Sequence, residues 1–539
     1  MSTIAIEKTK LAWTGERMIP HQSDSATELF HWQRYLYFRP WYADGDVVDA
    51  ASGEGYGCGY AGTFAATCLG IDSSAEAVEH AQLKYHWAQF QKDDVCKADY
   101  SSADLVISFE TIEHLPDPNR FLDALKSCKG RIVISTPNRK THSPGNRLED
   151  KPHNPYHTVE WTPSEFSDLI LSHFPTRQVR FLNQEARWPG LIREGLDDNA
   201  MYTIAVVGDG ELPNWPRLGI AIPTRNAELA QSAVMSFSRY YPGELEFAIV
   251  ANGLSTEDLQ TLHSFQTQVP NMVHVLEEPE NLGYGRGANR GLEFLSQEAW
   301  FDAFIVSNDD VTPSVDFLPQ MASAYQELVK QGLNPGVLGC VTNAINGPQQ
   351  VDIGAYQTLE EMHDRASDWS RTHHSSATQT NRIRGLFMMI SPDCLSDVGG
   401  FDPRFGIGNF EDDDHNLRCL MAGYSLWQID GAFLHHIGSS TFRSLDIDYE
   451  SNIQRNLSLI LQKWNVDTFQ ALWSDARPLD TVYVPLTAKL PQSGYSIPIN
   501  GETVDLVNQA SDLEFAAYVM QRARGADRRL AVIQALEAA

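Results

Sequence analysis

Val47-Val48-Asp49-Ala50-Ala51-Ser52-Gly53-Glu54-Gly55-Tyr56-Gly57 is the stretch that decides how the first half of the chain folds. An apolar strand runs into a glycine-rich turn where a helix should begin, and such a turn lets a ligand approach the backbone closely. Alone, the pattern fits a plain strand-to-helix turn equally well. A second apolar run, Cys68-Leu69-Gly70-Ile71, ends on Asp72, 23 residues after Asp49. At that spacing a carboxylate meets the two ribose hydroxyls of a nucleoside lying across the strand ends, and a nicotinamide nucleotide satisfies the same logic.

Outward from this turn, short apolar runs alternate with helix-length amphipathic stretches. They include 67–72, 103–109 and 131–136, then 218–223, 247–252, 274–278 and 303–308. The alternation predicts βαβ units and two mostly parallel α/β sheets. Between them Gly208-Asp-Gly-Glu-Leu-Pro-Asn-Trp-Pro-Arg217 reads as a linker, which bounds domains at 1–207 and 218–465 that are expected to fold separately. The pattern weakens over 466–539 until Leu513–Ala538, which reads as one amphipathic helix carrying Arg522, Arg524, Arg528 and Arg529. Such a helix can lie on an anionic membrane surface, dock on its own protein or pair with a second subunit.

The length of 539 residues predicts about three to four domains. A hydrophobic fraction of 42% supplies more than one large core, and a net charge of −29 argues against nucleic acid as a partner. No apolar run reaches the ~18–20 residues of a membrane span, and Met1-Ser-Thr-Ile-Ala-Ile-Glu-Lys-Thr-Lys10 has no apolar signal core. The expected location is the cytoplasm, with the C-terminal helix offering peripheral contact with the inner face of the membrane. Seven scattered cysteines, never closer than ten residues, predict reduced, packed thiols rather than a disulfide framework or a zinc site.

In the second half, Ile220-Ala-Ile222 runs into Pro223-Thr224-Arg225, which puts a cation at a strand end. Phe304-Ile-Val-Ser-Asn308-Asp309-Asp310 ends another apolar strand in acids, which are costly there unless they hold something positive. A divalent ion, Mg2+ or Mn2+, carrying a nucleotide diphosphate satisfies both observations. Glu411-Asp412-Asp413-Asp414 opens an amphipathic helix, and capping accounts for one or two of these four acids. His435-His436 closes a late strand and offers a further metal ligand.

Residues 13–185 resemble class I S-adenosylmethionine-dependent methyltransferases, in the branch found with surface-polysaccharide genes. The resemblance is carried by Thr14-Gly-Glu-Arg-Met-Ile-Pro20, Gln33-Arg34-Tyr35, the glycine turn, Asp72, Glu110-Thr-Ile-Glu113-His114-Leu-Pro-Asp-Pro118, Ser135-Thr-Pro-Asn138 and Asn154-Pro-Tyr-His157-Thr-Val-Glu160. It implies a Rossmann-like domain that binds S-adenosylmethionine through Asp49, Gly53, Gly55, Gly57, Asp72 and Glu110. Asp94, or its neighbour Asp93, would meet the adenine amino group. Methyl transfer to oxygen requires removal of a hydroxyl proton, for which His157 and His114 are the candidates. Ala51-Ser52 and Trp41-Tyr42 depart from the family's usual pattern.

Residues 218–465 resemble family 2 glycosyltransferases of the GT-A fold, rhamnosyl- and galactofuranosyl-type members above all, with Asn281-Leu-Gly-Tyr-Gly-Arg-Gly287-Ala-Asn289-Arg-Gly291 and Gly399-Gly-Phe-Asp-Pro-Arg-Phe405 in the expected order. The resemblance implies Asp310 as the firmest metal ligand, completed by His436 or His435, and Asp412 as general base with Glu411 next in line. It places Pro223, Thr224, Arg225, Asn252, Asn281, Gly283, Gly287, Asn289, Asn308, Asp309 and Gly385 at the donor, a dTDP- or UDP-linked sugar. The acceptor would be a glycan or lipid-linked glycan. Asn308 replaces the first acid of the family's DxD motif, and Ala251 stands where relatives carry a base-reading Asp. Together the two halves imply a bifunctional enzyme of polysaccharide biosynthesis, with inverting, metal-dependent glycosyl transfer and O-methylation of a sugar hydroxyl. The alternative keeps the glycosyltransferase and makes the first domain a non-catalytic binding or assembly module.

Overall fold

The structure is a computed structural model that describes Leu11, residues 17–20, 23, 25–43, 45–269, 272–298, 300–438, 449–474, 482–487, 497–499 and 502–504. The helix expected over Leu513–Ala538 lies outside the described residues, as do Thr14-Gly15-Glu16 of the front motif. The chain divides into two compact units. The first comprises Met1–Trp215 with Arg239–Gly243, the second Pro216–Ser238 with Glu244–Ala539. The grouping of Arg239–Gly243 with the first unit has no signal in the hydrophobic pattern.

The first unit contains β1 (Asp46–Ala50), β2 (Thr67–Asp72), β3 (Gln89–Lys92), β4 (Leu105–Phe109), β5 (Arg131–Pro137), β6 (Val179–Gln184), β7 (Ile192–Glu194) and β8 (Tyr202–Val207). Its helices are α1 (Ser25–Tyr37), α2 (Tyr56–Ala61), α3 (Ala75–Lys84), α4 (Pro118–Leu125), α5 (Arg139–His142) and α6 (Pro163–His173). The sheet order is β3-β2-β1-β4-β5-β8-β6-β7. The first five strands are parallel, β8 runs against both β5 and β6, and β7 closes an antiparallel edge. β4 is buried at every position, as a parallel strand covered on both faces must be. Its Val106 joins Ile132, Ile134, Phe121 and Phe166 in the core. The chain leaves β1 toward β2 on one side and returns to β4 on the other, and such a switch point opens a crevice at the carboxyl ends of the strands.

The second unit begins with β9 (Leu218–Thr224), α7 (Ala227–Arg239), β10 (Leu245–Asn252), α8 (Thr256–Gln268), β11 (Val273–Glu278), α9 (Tyr284–Glu298) and β12 (Ala303–Ser307). It continues with β13 (Val311–Pro313), α10 (Phe317–Lys330), β14 (Pro335–Thr342), α11 (Leu359–His373), β15 (Ala377–Thr380), β16 (Phe387–Ile390) and α12 (Pro392–Val398). Then come α13 (Glu411–Met421), β17 (Ser425–His436), α14 (Tyr449–Trp464) and the hairpin β18 (Ile497–Ile499) to β19 (Glu502–Val504). The large sheet runs β11-β10-β9-β12-β16-β14-β17-β13, with β15 also on β17. Only its first four strands are all parallel; β16 is antiparallel to both its neighbours, so this sheet is mixed rather than mostly parallel. A buried run such as Phe387-Met-Met-Ile390 carries no directional information, which is why its hydrophobicity could not give the strand sense. A Cβ on Gly287 would stand 2.9 Å from Pro223 Cβ, and one on Gly291 2.6 Å from Ala221 Cβ, so these glycines let α9 lie directly on β9. No described helix is long and apolar enough to cross a membrane.

Candidate functional sites at the strand ends of each unit

In the first unit the turn after β1 is fixed by Asp72. Its Oδ2 accepts a hydrogen bond from the Gly53 amide (2.9 Å) and its Oδ1 one from the Ser74 amide (2.8 Å). Gly53 has φ +56° and only the Arg17 side chain within 4 Å of a would-be Cβ, so its outer face is open to a ligand. Gly55 and Gly57 are required for a different reason. A Cβ on Gly55 would stand 2.7 Å from Ala81 Cβ, and one on Gly57 2.0 Å from the Tyr35 ring. Their small size makes room for the protein's own side chains, and a Gly55→Val change would act on the fold before any ligand arrives.

Asp49 is buried under the turn and accepts from Tyr35 Oη at 3.2 Å through both oxygens. Burial pushes its carboxyl up to about 7 against the Tyr35 hydrogen bond, with the Asp72 charge adding to the rise. A carboxyl raised on folding contributes stability that is complete below its unfolded value near 4 and lost as pH rises through 7. Asp49→Asn should therefore be increasingly favourable relative to the parent between pH 5 and pH 8, by roughly 2–4 kcal/mol, in thermal melts across that range.

Glu110 follows β4 with φ +56° and accepts from Ser135 Oγ at 2.8 Å. Arg34 Nη1 lies 3.7 Å from it and donates to Gln184 Oε1 at 3.1 Å. Arg34 is fully buried against the Tyr202 ring, and its Nε and Nη2 have no hydrogen-bond acceptor among the described residues. Sequence reading quoted this arginine within a motif but gave it no role; burial is the signal, and burial is not visible in a lone Arg. Asp94 lies beyond β3, half exposed, its Oδ1 accepting from the Cys96 amide and its Oδ2 paired with Lys97. The neighbouring Asp93 amide donates to the Asp72 carbonyl at 3.1 Å, which ties that loop to the end of β2.

His157 and His114 meet edge to face with centroids 4.8 Å apart. His157 Nδ1 donates to Glu160 Oε1 (2.6 Å) while its Nε2 accepts from Asn154 Nδ2 (2.9 Å). His114 Nδ1 donates to the Tyr156 carbonyl at 3.2 Å.

In the second unit a cleft of about 340 Å3 opens at the ends of β9, β10 and β12. Of the residues expected at a donor, Pro223, Thr224, Arg225, Asn252, Asn281, Gly283, Asn308, Asp309 and Gly385 line it, with Glu411, Asp412 and His436. Gly287 and Asn289 do not line it. Gly287 packs α9 on β9, and Asn289 is a buried clamp that donates to the Phe401 and Thr487 carbonyls (2.7 and 3.1 Å) and accepts from the Phe401 amide. Their place within the motif is structural. Tyr284, the first residue of α9, quoted within its motif but given no role, lines the cleft as well. So do Arg382 and Arg384, which were missed by sequence reading, since isolated basic residues in a loop have no spacing to betray them.

The acids divide by partner. Asp309 accepts from Thr224 Oγ1 at 2.6 Å, and burial pushes its carboxyl up to about 6. Asp310 Oδ1 lies 3.4 Å from His436 Nε2, and His436 Nδ1 donates to the Ala344 carbonyl at 2.7 Å. Burial lowers the His436 imidazole, but the Asp310 and Ala344 oxygens outweigh it and hold it above its ordinary value. His435, on the alternate face of β17, hydrogen-bonds Tyr356 Oη at 2.7 Å and does not join Asp310. This corrects the expectation that either imidazole could complete the site, because successive strand residues point to opposite faces.

The four acids of α13 have four different environments. Phe410 at the N-cap has φ +71° and Asn409 before it +80°, so two successive left-handed residues turn the chain sharply into the helix. Asp412 Oδ2 accepts from the Gly385 amide at 2.9 Å. Glu411 is buried with Oε2 unpartnered, and burial plus the Asp412 and Asp413 charges push its carboxyl up to about 8. Asp413 takes both Nε and Nη2 of Arg382 (2.5 and 2.9 Å). Asp414, at the back, pairs with Arg418 Nε (2.9 Å) and Lys463 Nζ (2.6 Å). Lys463 also holds Asp402 at 2.8 Å. From α14, Asn456 Nδ2 donates to the carbonyls of Phe405 (2.7 Å) and Gly408 (2.8 Å), which fastens the loop bordering the cleft.

Both units thus belong to the class of α/β domains that bind ligands at a sheet switch point. Residues 27–186 match the methyltransferase-domain family, and residues 219–377 match glycosyl transferase family 2. The chain carries one domain of each kind. Among its relatives are proteins of Mycobacterium tuberculosis H37Rv and Mycolicibacterium smegmatis, both described as probable S-adenosylmethionine-dependent methyltransferases. They are 33% identical over 171 and 169 residues, in each case 30% of this chain. The chain spans 60% and 63% of the length of these relatives. Similar solved structures include the methyltransferase domain of bacterial CtHen1, 20% identical, covering 33% of this chain and all of that one, with a TM-score of 0.27. GalNAc-T7 with UDP, GalNAc and Mn2+ is 13% identical and covers 46% of this chain and 49% of that one, with a TM-score of 0.36.

Proposed function

We infer that the protein is a bifunctional transferase of glycan biosynthesis, in which the second domain moves a sugar from a nucleotide diphosphate and the first methylates a sugar hydroxyl. The observation that carries this reading is that the strand ends of each unit hold buried side-chain atoms without a hydrogen-bond partner among the described residues. These are Arg34 Nε and Nη2 in one unit, Arg225 Nε and Nη1 with Glu411 Oε2 in the other. A buried polar atom with no hydrogen bond is costly unless a ligand completes it.

In the first domain the open face of Gly53 admits a nucleoside, and Asp72 stands at its ribose. The orphan nitrogens of Arg34 suit the carboxylate of the methionyl group. When bound, S-adenosylmethionine supplies the methyl group as a sulfonium. His114 and His157 flank the acceptor side as the groups available to a hydroxyl proton. Asp72→Ala should weaken S-adenosylmethionine and S-adenosylhomocysteine alike, by at least tenfold in calorimetry, because the two share the ribose; unchanged affinity would remove the nucleoside from this turn.

In the second domain Asp310 and His436 would hold Mg2+ or Mn2+, and the oxygen of the buried Asp310 and the nitrogen of the partly buried His436, 3.4 Å apart, fit such an ion. The metal would offset charge on the departing diphosphate. Arg225 meets the same phosphates. Asp412, its carboxylate oriented by the Gly385 amide, takes the proton of the acceptor hydroxyl, which then attacks the anomeric carbon opposite the diphosphate. One displacement inverts configuration. The donor is a dTDP- or UDP-linked sugar and the acceptor a glycan, free or lipid-linked, met in the cytoplasm or at the inner membrane face. Asp310→Ala should abolish the metal dependence of nucleotide binding, and calorimetry with and without Mn2+ reads it directly.

Thermal melts of the full chain test the whole reading. S-adenosylhomocysteine and a nucleoside diphosphate with Mn2+ or Mg2+ should each raise the melting temperature, additively, since each stabilises only the folded state. Absence of either shift would remove the corresponding domain's activity from the proposal.

A further inference from the structure

The geometry points to a second divalent-cation site, in the methyltransferase domain, formed by Glu113, His114 and His157; it rests on the methyl-transfer reading and gives that domain a metal at its acceptor side. Glu113 and His114 lie in the 3-10 turn that follows β4, and His157 in the loop before α6. One donor atom from each of the three lies within 4.8 Å of the other two. Three donors on metal bonds of about 2.0–2.2 Å lie about 3.0–3.6 Å from one another, so the set closes on an ion with movements of about 1 Å by each side chain.

Three features turn the cluster into a ligand set. Glu113 is fully buried, its Oε2 accepts from Thr136 Oγ1 at 3.2 Å, and its Oε1 has no hydrogen-bond partner and lies 3.7 Å from His114 Nε2. Both imidazoles carry their proton on Nδ1, because the Tyr156 carbonyl and the Glu160 carboxylate facing those nitrogens accept. Each Nε2 is therefore the ligating nitrogen, and the Glu160–His157 pair at 2.6 Å repeats the carboxylate–histidine support that orients metal-bound imidazoles. Asn154 Nδ2, now donating to His157 Nε2, would yield its place to the ion.

Two imidazoles and a carboxylate favour a first-row transition ion over Mg2+ or Ca2+, which prefer oxygen, and Mn2+, the weakest binder of that row, serves as the paramagnetic probe. The cation's task is to hold the acceptor hydroxyl and stabilise negative charge on its oxygen. The O–H bond breaks with its proton passing to water. The oxygen's electron pair forms the new O–CH3 bond, and the electrons of the S–CH3 bond remain on sulfur, leaving a neutral sulfide. With the ion in place the two histidines are its ligands, and water replaces them as the proton acceptor given above.

The test uses the full chain carrying Asp310→Ala, which removes the expected glycosyltransferase ion, and titrates Mn2+ without nucleotide. One Mn2+ should bind, with imidazole nitrogen couplings in its pulsed EPR spectrum. Glu113→Gln or His157→Gln on that background should weaken it at least tenfold, and Glu160→Gln by about 10–100-fold through His157 alone. S-adenosylhomocysteine binding by the same variants reports folding and the cofactor site separately. Retained Mn2+ with no S-adenosylhomocysteine binding would sink the methyl-transfer reading but not the metal site. No Mn2+ binding, or binding indifferent to Glu113 and His157 in variants that still bind S-adenosylhomocysteine, would overturn the site. Should both variants fail to fold, absence of imidazole couplings from the Asp310→Ala parent overturns it.

Discussion

Asp412→Asn should reduce sugar transfer by about 10²–10⁴-fold, the usual cost of losing a general base, while metal-dependent nucleotide binding stays within a few-fold of the parent. The amide keeps the shape that accepts from the Gly385 amide but cannot take a proton. Initial rates with a labelled nucleotide sugar, set beside calorimetry on the nucleotide diphosphate, separate the two effects. Near-normal turnover would move the base to Glu411, whose carboxyl sits next to Asp412 and is pushed up to about 8 by burial and its acidic neighbours. The rate would then rise with pH through that value.

Lys463→Met should cost about 3–5 kcal/mol of folding free energy, because it leaves two buried carboxylates facing each other without their shared cation. Lys463 is fully buried between Asp402 at 2.8 Å and Asp414 at 2.6 Å. Burial pushes both carboxyls up, but Lys463 with Arg404 on Asp402, and with Arg418 on Asp414, outweighs it and holds both below the usual carboxylate range. Their stabilisation is therefore present above the unfolded value near 4 and lost as pH falls below it. The penalty in the variant should shrink in the same acid range, which denaturant titrations at pH 7 and about pH 2 can read. Lys330→Met, at an exposed pair with Glu327, should leave stability unchanged.

Much of this architecture was legible because two physical signals are local. Val47-Val48 followed by Gly53 and Asp72 at a fixed interval announces a strand, a turn and an acid at the next strand's end, and Asp72 grips the Gly53 amide there. The acids at Asn308-Asp309-Asp310 end a wholly buried strand, and that is where the cleft opens. Direction and side were not legible. Phe387–Ile390 fits a strand of either sense, and His435 and His436 differ only by the face of β17 on which each falls. Roles decided by distant partners were hidden as well. Nothing in the run Glu411–Asp414 tells that Asp414 belongs to Lys463, 49 residues on, while Asp412 is turned toward the cleft.

The amide of Asn456 ties the motion of the cleft's border to that of a whole helix. Because it grips the carbonyls of Phe405 and Gly408 together, residues 405–408 cannot swing out alone; α14 must shift with them or two buried hydrogen bonds must break at once. A loop on its own rearranges in nanoseconds to microseconds, whereas packed helices slide in microseconds to milliseconds. Exchange of anything seated behind this border should thus be paced by the slower clock, and relaxation-dispersion signals from α14 and from residues 405–408 should share one rate.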